Sequence, residues 1–370
     1  MSNNALDLNS TYIWHEIHEQ PTAVQHALDG SLAVIERIVQ VVKQREIDLI
    51  LLVARGTSDH AALYAQYVFQ YLNGIPVALA TPSIMTLYGA KLRLRHTLVI
   101  GISQSGAAPD VTGVVHQARA AGALTVGISN VQGSLLSETA EYALYCSAGP
   151  ELSVAATKTY TTTCAILAQL AAHLPGGEAL AGHIGRLPEL ITVALQSEAE
   201  IASAAPRYAH ARDCVVLGRA FNYSTARETA LKLSETCYLI ATPFSTADFR
   251  HGPTALIEYG RPVVLYAPPG RTVDDSYALL KLLSEKEADT LVIAEDQRLL
   301  DLATTPIRVQ LPALAATSNG QEASALFDIA ELLSPIPYII YGQFLAMHLS
   351  VSKGLNPDKP RGLSKITKTI

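Results

Sequence analysis

What most limits the fold of this chain is a recurring order: a short apolar run, a polar turn, then a helical pattern. Residues 47–54 form the first run, followed at once by Arg55-Gly56-Thr57-Ser58-Asp59 and helical sequence over 60–72. Leu98-Val99-Ile100-Gly101-Ile102 begins the next round, with Ser103-Gln104-Ser105-Gly106 as its turn and a helix expected over 110–121. Residues 124–128 and 142–146 read as further strands, and 157–173 as a long helix. Short apolar strands alternating with helices imply parallel strands buried on both faces, an α/β architecture.

The pattern breaks at Pro175-Gly176-Gly177 and then starts again. Residues 178–204 read as a helical connector. A buried strand over 214–217 leads into the turn Gly218-Arg219-Ala220 and a helix over 223–238. Strands follow over 262–266 and 290–294, and a last helix over 337–353. Gly56 and Gly218 each follow the first strand of their half, which suggests a duplicated α/β unit. The expected organisation is a helical segment over 1–45, with Pro21 at a helix start or kink, and a first α/β domain over 46–175. A connector over 176–205, a second α/β domain over 206–353 and a polar tail over 354–370 complete it.

Composition narrows the function. A net charge of −6 and the lack of a basic stripe interleaved with aromatics argue against a nucleic-acid partner. The polar start lacks the apolar core of a secretory signal, and no apolar run reaches the ~18 residues of a membrane span. A cytoplasmic protein is therefore expected. Cys146, Cys164, Cys214 and Cys237 are widely spaced, form no CxxC pair and read as buried thiols. His15-Glu16-Ile17-His18-Glu19 superficially suggests a metal site but is not HExxH. No metal or organic cofactor is expected. GxGxxG, GxxxxGK[ST] and GxSxG are all absent, which disfavours dinucleotides, nucleoside triphosphates and a serine hydrolase.

The two polar turns of the first half fall at the carboxyl ends of their strands, where open parallel sheets bind ligands. Hydroxyls and amides of Ser103, Gln104 and Ser105 can converge on an anion, with Gly106 permitting close backbone approach. Thr57 and Ser58 occupy the matching turn. The plain alternative is helix N-capping. In the second half, Glu228, Lys232 and Glu235 stand at i, i+4 and i+7, so they share one helix face. A solvated, salt-bridged face is the plain alternative there, and for His251 and Lys365 a structural histidine and an ordinary exposed lysine.

Taken together, Gly56-Thr57-Ser58, Ser103-Gln104-Ser105-Gly106, Ala155-Ala156-Thr157-Lys158, Ala230-Leu231-Lys232-Leu233-Ser234-Glu235, His251-Gly252-Pro253 and Pro360-Arg361-Gly362-Leu363-Ser364-Lys365 resemble the SIS (sugar isomerase) family. The likeness runs over nearly the whole chain and is nearest to the isomerase part of glucosamine-6-phosphate synthase and its stand-alone relatives. It implies two SIS domains, each a flavodoxin-like three-layer sandwich, acting on a phosphorylated sugar. It also implies that Ser58, Ser103, Gln104 and Ser105 hold the phosphate, with Thr57, Val154, Ala156 and Glu228 around the substrate. Glu235 would be the base moving a proton between C1 and C2, with Lys232 supplying positive charge. His251 would open the sugar ring from a partner subunit, so a homodimer is implied, and Lys365 would sit on a tail that closes over the sugar. The chain departs from the pattern at Ala107-Ala108, where relatives have Glu-Thr, and at Ala156, where they have Ser.

No glutamine amidotransferase segment accompanies these motifs, so the expected reaction is conversion of glucosamine-6-phosphate to fructose-6-phosphate and ammonia. A deglycase of fructosamine 6-phosphates, an aldose–ketose phosphosugar isomerase and a non-catalytic sugar-phosphate sensor are the alternatives.

Overall fold

The computed structural model describes residues 7–314 and 323–365; residues 366–370 of the expected tail lie outside them. The described chain divides into two compact units. The first takes Gln20–Glu151, Lys158–Pro188 and, near the chain end, Ser364 and Lys365. The second takes residues 7–19, Leu152–Thr157 and the remainder from Glu189 to Leu363.

The first unit is built on β1 (Leu49–Val53), β2 (Val77–Leu79), β3 (Thr97–Ile102), β4 (Leu124–Ser129) and β5 (Tyr142–Tyr145). They form one parallel sheet in the order β2-β1-β3-β4-β5. Ile50 faces Val77 on one side and Leu98 on the other, which fixes the register at the centre. β3 and β4 are buried along their whole length, as an interior strand with helices on both faces must be. One face packs Val53 and Val99 against Val111 and Val115 of the Pro109–Ala120 helix. The Gln20–Gln44 and Lys158–His173 helices also belong to this unit, and Pro21 stands in the first turn of the former, where a missing N–H costs nothing.

The second unit repeats the design with β6 (Asp213–Gly218), β7 (Ile240–Ser245), β8 (Pro262–Ala267), β9 (Asp289–Ala294) and β10 (Thr305–Arg308). Its parallel order, β10-β9-β8-β6-β7, is the same topology, so the duplication expected from the sequence is present at the level of the sheets. Leu217, Leu265 and Val292 pack with Leu279, Leu280 and Leu283 of the Val273–Glu285 helix. The Asn222–Cys237 helix lies against the Pro335–Ser352 helix. Gly342 permits this approach, because a Cβ there would collide with Thr229 Oγ1 and the Tyr266 hydroxyl, themselves hydrogen-bonded at 2.7 Å.

Three strands escaped the sequence reading: β2, β7 and β10. All are edge strands, and β7 and β10 carry Pro243 and Pro306, which an edge tolerates and a central strand does not. The Val273–Glu285 and Ala323–Leu333 helices were also unforeseen. The connector is not one helix but pieces, Glu178–Ala181, Leu187–Ala194 and Glu198–Ala204, joined by 3-10 turns.

The segment after the last helix has no regular structure, yet it is pinned. The Lys353 ammonium donates to the carbonyls of Ala209 and Ala211. The Asp358 carboxylate accepts the N–H groups of Tyr12 and Ile13, at 2.7 and 2.9 Å, so it supplies a cap to the Tyr12–His18 helix from far along the chain. Asp358→Ala is expected to cost ~1 kcal/mol, seen as a lower denaturation midpoint, whereas Lys359→Ala at the exposed neighbouring position leaves the midpoint unchanged.

Candidate active site

In the first unit the strand order reverses between β1 and β3, and the crevice at their carboxyl ends is where such sheets bind ligands. Both polar turns lie there. Gly56, with φ of 55°, leads directly into the Thr57–Asn73 helix, so Thr57 and Ser58 occupy the helix's first turn rather than a preceding loop. After β3, Gly106 N–H donates to the Ser103 carbonyl at 3.0 Å and closes the turn. The Gln104 and Gly106 carbonyls accept from Asn130 and Leu136. Gly106 has φ of 62°, and a side chain there would strike Ser134 Oγ, so the turn depends on glycine twice over.

None of these hydroxyl residues is itself the N-cap of the helix that follows. The N-cap of the Pro109–Ala120 helix is Ala108 and that of the Thr57–Asn73 helix is Gly56, and neither receives a side-chain cap. Ser105 Oγ instead accepts the Ala107 N–H at 3.3 Å. Across the crevice, Arg55 Nε donates to the buried Asp110 carboxylate at 2.7 Å, tying the turn after β1 to the helix after β3. Sequence reading passed over Asp110, which looked like an ordinary first-turn acid.

Lys365 also belongs to this unit. Its ammonium lies 2.8 Å from Glu151 Oε2, a fully buried carboxylate that also accepts the Thr159 N–H and hydroxyl. Glu151 was not singled out from the sequence. Its one clue is a charged residue just ahead of the Ala155–Lys158 motif, in a stretch of small and apolar residues.

In the second unit the Asn222–Cys237 helix carries the acid/base candidates. Its polar face is not solvated: Glu228 is 0% and Lys232 2% exposed, and only Glu235, at 22%, reaches the surface. Lys232 Nζ stands 3.3 Å from Glu228 Oε1 and 2.7 Å from Glu235 Oε2. Burial works against the ammonium, but the Glu228 carboxylate, followed by Glu235, outweighs it and holds the lysine pKa above its ordinary value. One fixed cation thus sits between an inaccessible carboxyl and an accessible one.

Val154 and Ala156, both half-buried, fall in this same unit. The Leu152–Thr157 segment is fastened to it by the Leu152 and Ser153 N–H groups, which donate to Glu16, and by the Gln343 amide, which donates to the Thr157 carbonyl. Glu16 comes from the His15–Glu19 run, in which His18 also makes structural contacts, with the Trp14 carbonyl and Glu198. His251 ends the short Thr246–Arg250 helix and is exposed; its ring hydrogen-bonds none of the other candidates. Thr246 and Arg250 anchor that turn to Asp275. The four cysteines are free and buried, and burial pushes the Cys214 and Cys237 thiols up to about 12, out of reach of reactive chemistry.

These features define a class: a duplicated, doubly wound α/β protein with an uncapped hydroxyl turn in one unit and a buried carboxyl–lysine–carboxyl face in the other. The SIS domain model matches residues 45–173 and 207–321, and the chain belongs to the SIS domain family. It is 35% identical, over 96% of its length, to the glutamine–fructose-6-phosphate aminotransferase (isomerizing) of Pyrococcus horikoshii. The chain spans a little over half of that relative, 57%. Among solved structures, a candidate phosphosugar isomerase from Silicibacter pomeroyi DSS-3 superposes with a TM-score of 0.80 at 31% identity, over 94% of this chain and 100% of that one. The C-terminal domain of glucosamine-fructose-6-phosphate aminotransferase from Francisella tularensis shares the fold, with a TM-score of 0.81 at 24% identity, over 97% of this chain and 100% of that one.

Lys232→Met removes the cation facing the buried Glu228 carboxylate and is expected to destabilise the protein by ~3–5 kcal/mol in denaturant titrations. Adding Glu228→Gln should restore part of that loss, because the buried negative charge is then gone.

Proposed function

We propose that the chain is a phosphosugar enzyme of the SIS type that converts glucosamine-6-phosphate and water to fructose-6-phosphate and ammonia in the cytoplasm. The observation that carries the reading is the buried Glu228–Lys232–Glu235 face, with one carboxyl open to a substrate. The phosphate is assigned to Ser103, Gln104, Ser105, Thr57 and Ser58, whose turns offer hydroxyls and amides in the crevice suited to an anion. Val154 and Ala156 are assigned to the sugar.

In this reading His251 opens the ring, giving a proton to the ring oxygen and taking one from the C1 hydroxyl. Glu235 then removes the C2 proton. The C–H electrons form a C1=C2 enolamine, and the C1 oxygen gains a proton. Return of the proton to C1 leaves an imine at C2. Water adds to the imine, the C2–N bond breaks, and ammonia leaves behind the C2 ketone. Lys232 holds the Glu235 carboxyl in place, and Lys365 lies beside the C1 oxygen. The accounting closes with water as the only co-substrate. Among the described residues no helix is long and apolar enough to cross a membrane.

Incubation with glucosamine-6-phosphate should release ammonia and fructose-6-phosphate in equal amounts, and Glu235→Gln should lower kcat by ~10²–10⁴ with the fold intact. Interconversion of aldose and ketose phosphates without ammonia would instead identify a plain isomerase, and an unaltered Glu235→Gln variant would remove this carboxylate from the chemistry.

The exposed, unengaged ring of His251 supports its donation to a second copy of the chain. In a homodimer built that way, mixing inactive His251→Ala and Glu235→Gln subunits should restore roughly a quarter of wild-type activity, since mixed dimers keep one intact centre. Mixtures that stay inactive would place both residues in one subunit's centre.

A further inference from the structure

The second unit has a cavity of its own that the proposed chemistry does not use. It measures ≈ 320 Å³ and is lined by Leu190, Pro269, Leu311 and Pro337 among other apolar residues, with Glu295, Ser334 and Tyr338 as polar groups in its wall. Pro269 follows β8 and Glu295 follows β9, so the cavity opens at the carboxyl ends of these parallel strands. Its size and its apolar wall with few polar groups fit a small-molecule pocket. We propose that this cavity is a second ligand site, which takes a primary amine bearing an apolar group, its ammonium seated on Glu295.

The charge pattern decides the ligand class. In the first unit the turn after β3 offers hydroxyls and amides. The equivalent turn after β8, at Pro269-Gly270-Arg271, faces carboxyls instead. A neighbouring cavity shares Pro269 and Glu295 with this one and is lined also by Asp296 and Asp328, with Arg271 as its one cation among the described lining residues. That guanidinium is paired along its Nε–Nη2 edge with Asp328, both bonds 2.6 Å, and Glu331 takes the Arg271 backbone N–H at 2.7 Å. Asp296 is paired with Arg298 and Asp328 with Arg271, which leaves Glu295, among the described residues, as the lining carboxyl with no cation on it, a match for an ammonium rather than a phosphate.

Glu295 is the group left wanting a partner. Its one hydrogen bond, from the fully buried Tyr338 hydroxyl, is long at 3.4 Å. Burial pushes its carboxyl up to about 7, with the tyrosine offsetting little. An ammonium within hydrogen-bond reach would repay that desolvation, and the Pro and Leu side chains would cover the ligand's apolar body.

Benzylamine is a suitable probe, titrated calorimetrically into the full chain. Saturable millimolar binding is expected, with benzyl alcohol weaker. Glu295→Gln should weaken benzylamine by about tenfold or more, the worth of a charge-assisted hydrogen bond. Ala330→Phe, at a lining residue, should block it by filling the space. Cooperative melting of each variant confirms that it is folded, and Glu295→Gln carries the test if Ala330→Phe is not. Absence of benzylamine binding, equal affinity for the alcohol, or undiminished binding to Glu295→Gln would each overturn the assignment.

Discussion

The ammonium of Lys232 is the most consequential single group in the second unit. A lysine 2% exposed pays a large desolvation cost and stays charged only because carboxyls meet it. Two do so, from one turn below and one turn above on the same helix, and helical spacing alone sets that geometry. Glu228 is sealed off, so its service is to the lysine. Glu235 shares the lysine with it but keeps a face outward. On the proposed reading, a carboxyl whose position is fixed from behind by a buried cation is preorganised for proton transfer. A free surface glutamate would spend entropy to reach the same pose.

The helix bearing this trio is held with similar care. Asn222 donates to Ser334 Oγ at its start, Thr229 meets Tyr266 midway, and Thr236 reaches the Ala346 carbonyl near its end. Each of these polar groups is buried and each is satisfied, so the helix cannot rotate without breaking several bonds in a place where water cannot replace them. Glu16 does related work on the Leu152–Thr157 segment. A carboxylate accepting two successive backbone N–H groups fixes that segment's path without any regular secondary structure.

How much of this could be read from the residues follows from where each interaction is local. Interior strands such as β3 and β4 were legible because burial on both faces demands an unbroken apolar run. Three of the four edge strands were not: β2 is only three residues long and β7 and β10 carry proline, so their sequences look like loops, whereas the edge strand β5 has neither feature and was read. The i, i+4, i+7 spacing of Glu228, Lys232 and Glu235 was visible, but its burial was not. That depends on the facing Pro335–Ser352 helix, more than 100 residues away. The roles of Asp110, Glu151 and Glu16 were hidden for the same reason, because their partners lie far along the chain or look unremarkable beside them. The same is true of the interleaving by which Leu152–Thr157 joins the second unit. Contact between distant segments leaves no period in a single sequence.

The two sheets share one topology yet end in turns of different side chains. Strand order and helix packing repeat closely enough that β3 corresponds to β8 and β4 to β9. The turns that leave those strands have diverged: Ser103-Gln104-Ser105-Gly106 in one, Pro268-Pro269-Gly270-Arg271 in the other. The strands resist change because each buried residue touches helices on one face and neighbouring strands at its sides. The turns are held mainly through backbone groups and by a glycine in each that a neighbouring side chain crowds, Gly106 against Ser134 and Gly270 against Glu331, which leaves their other side chains freer to vary. A duplicated unit can therefore keep its core and exchange its ligand chemistry by altering a few residues at the carboxyl edge of the sheet.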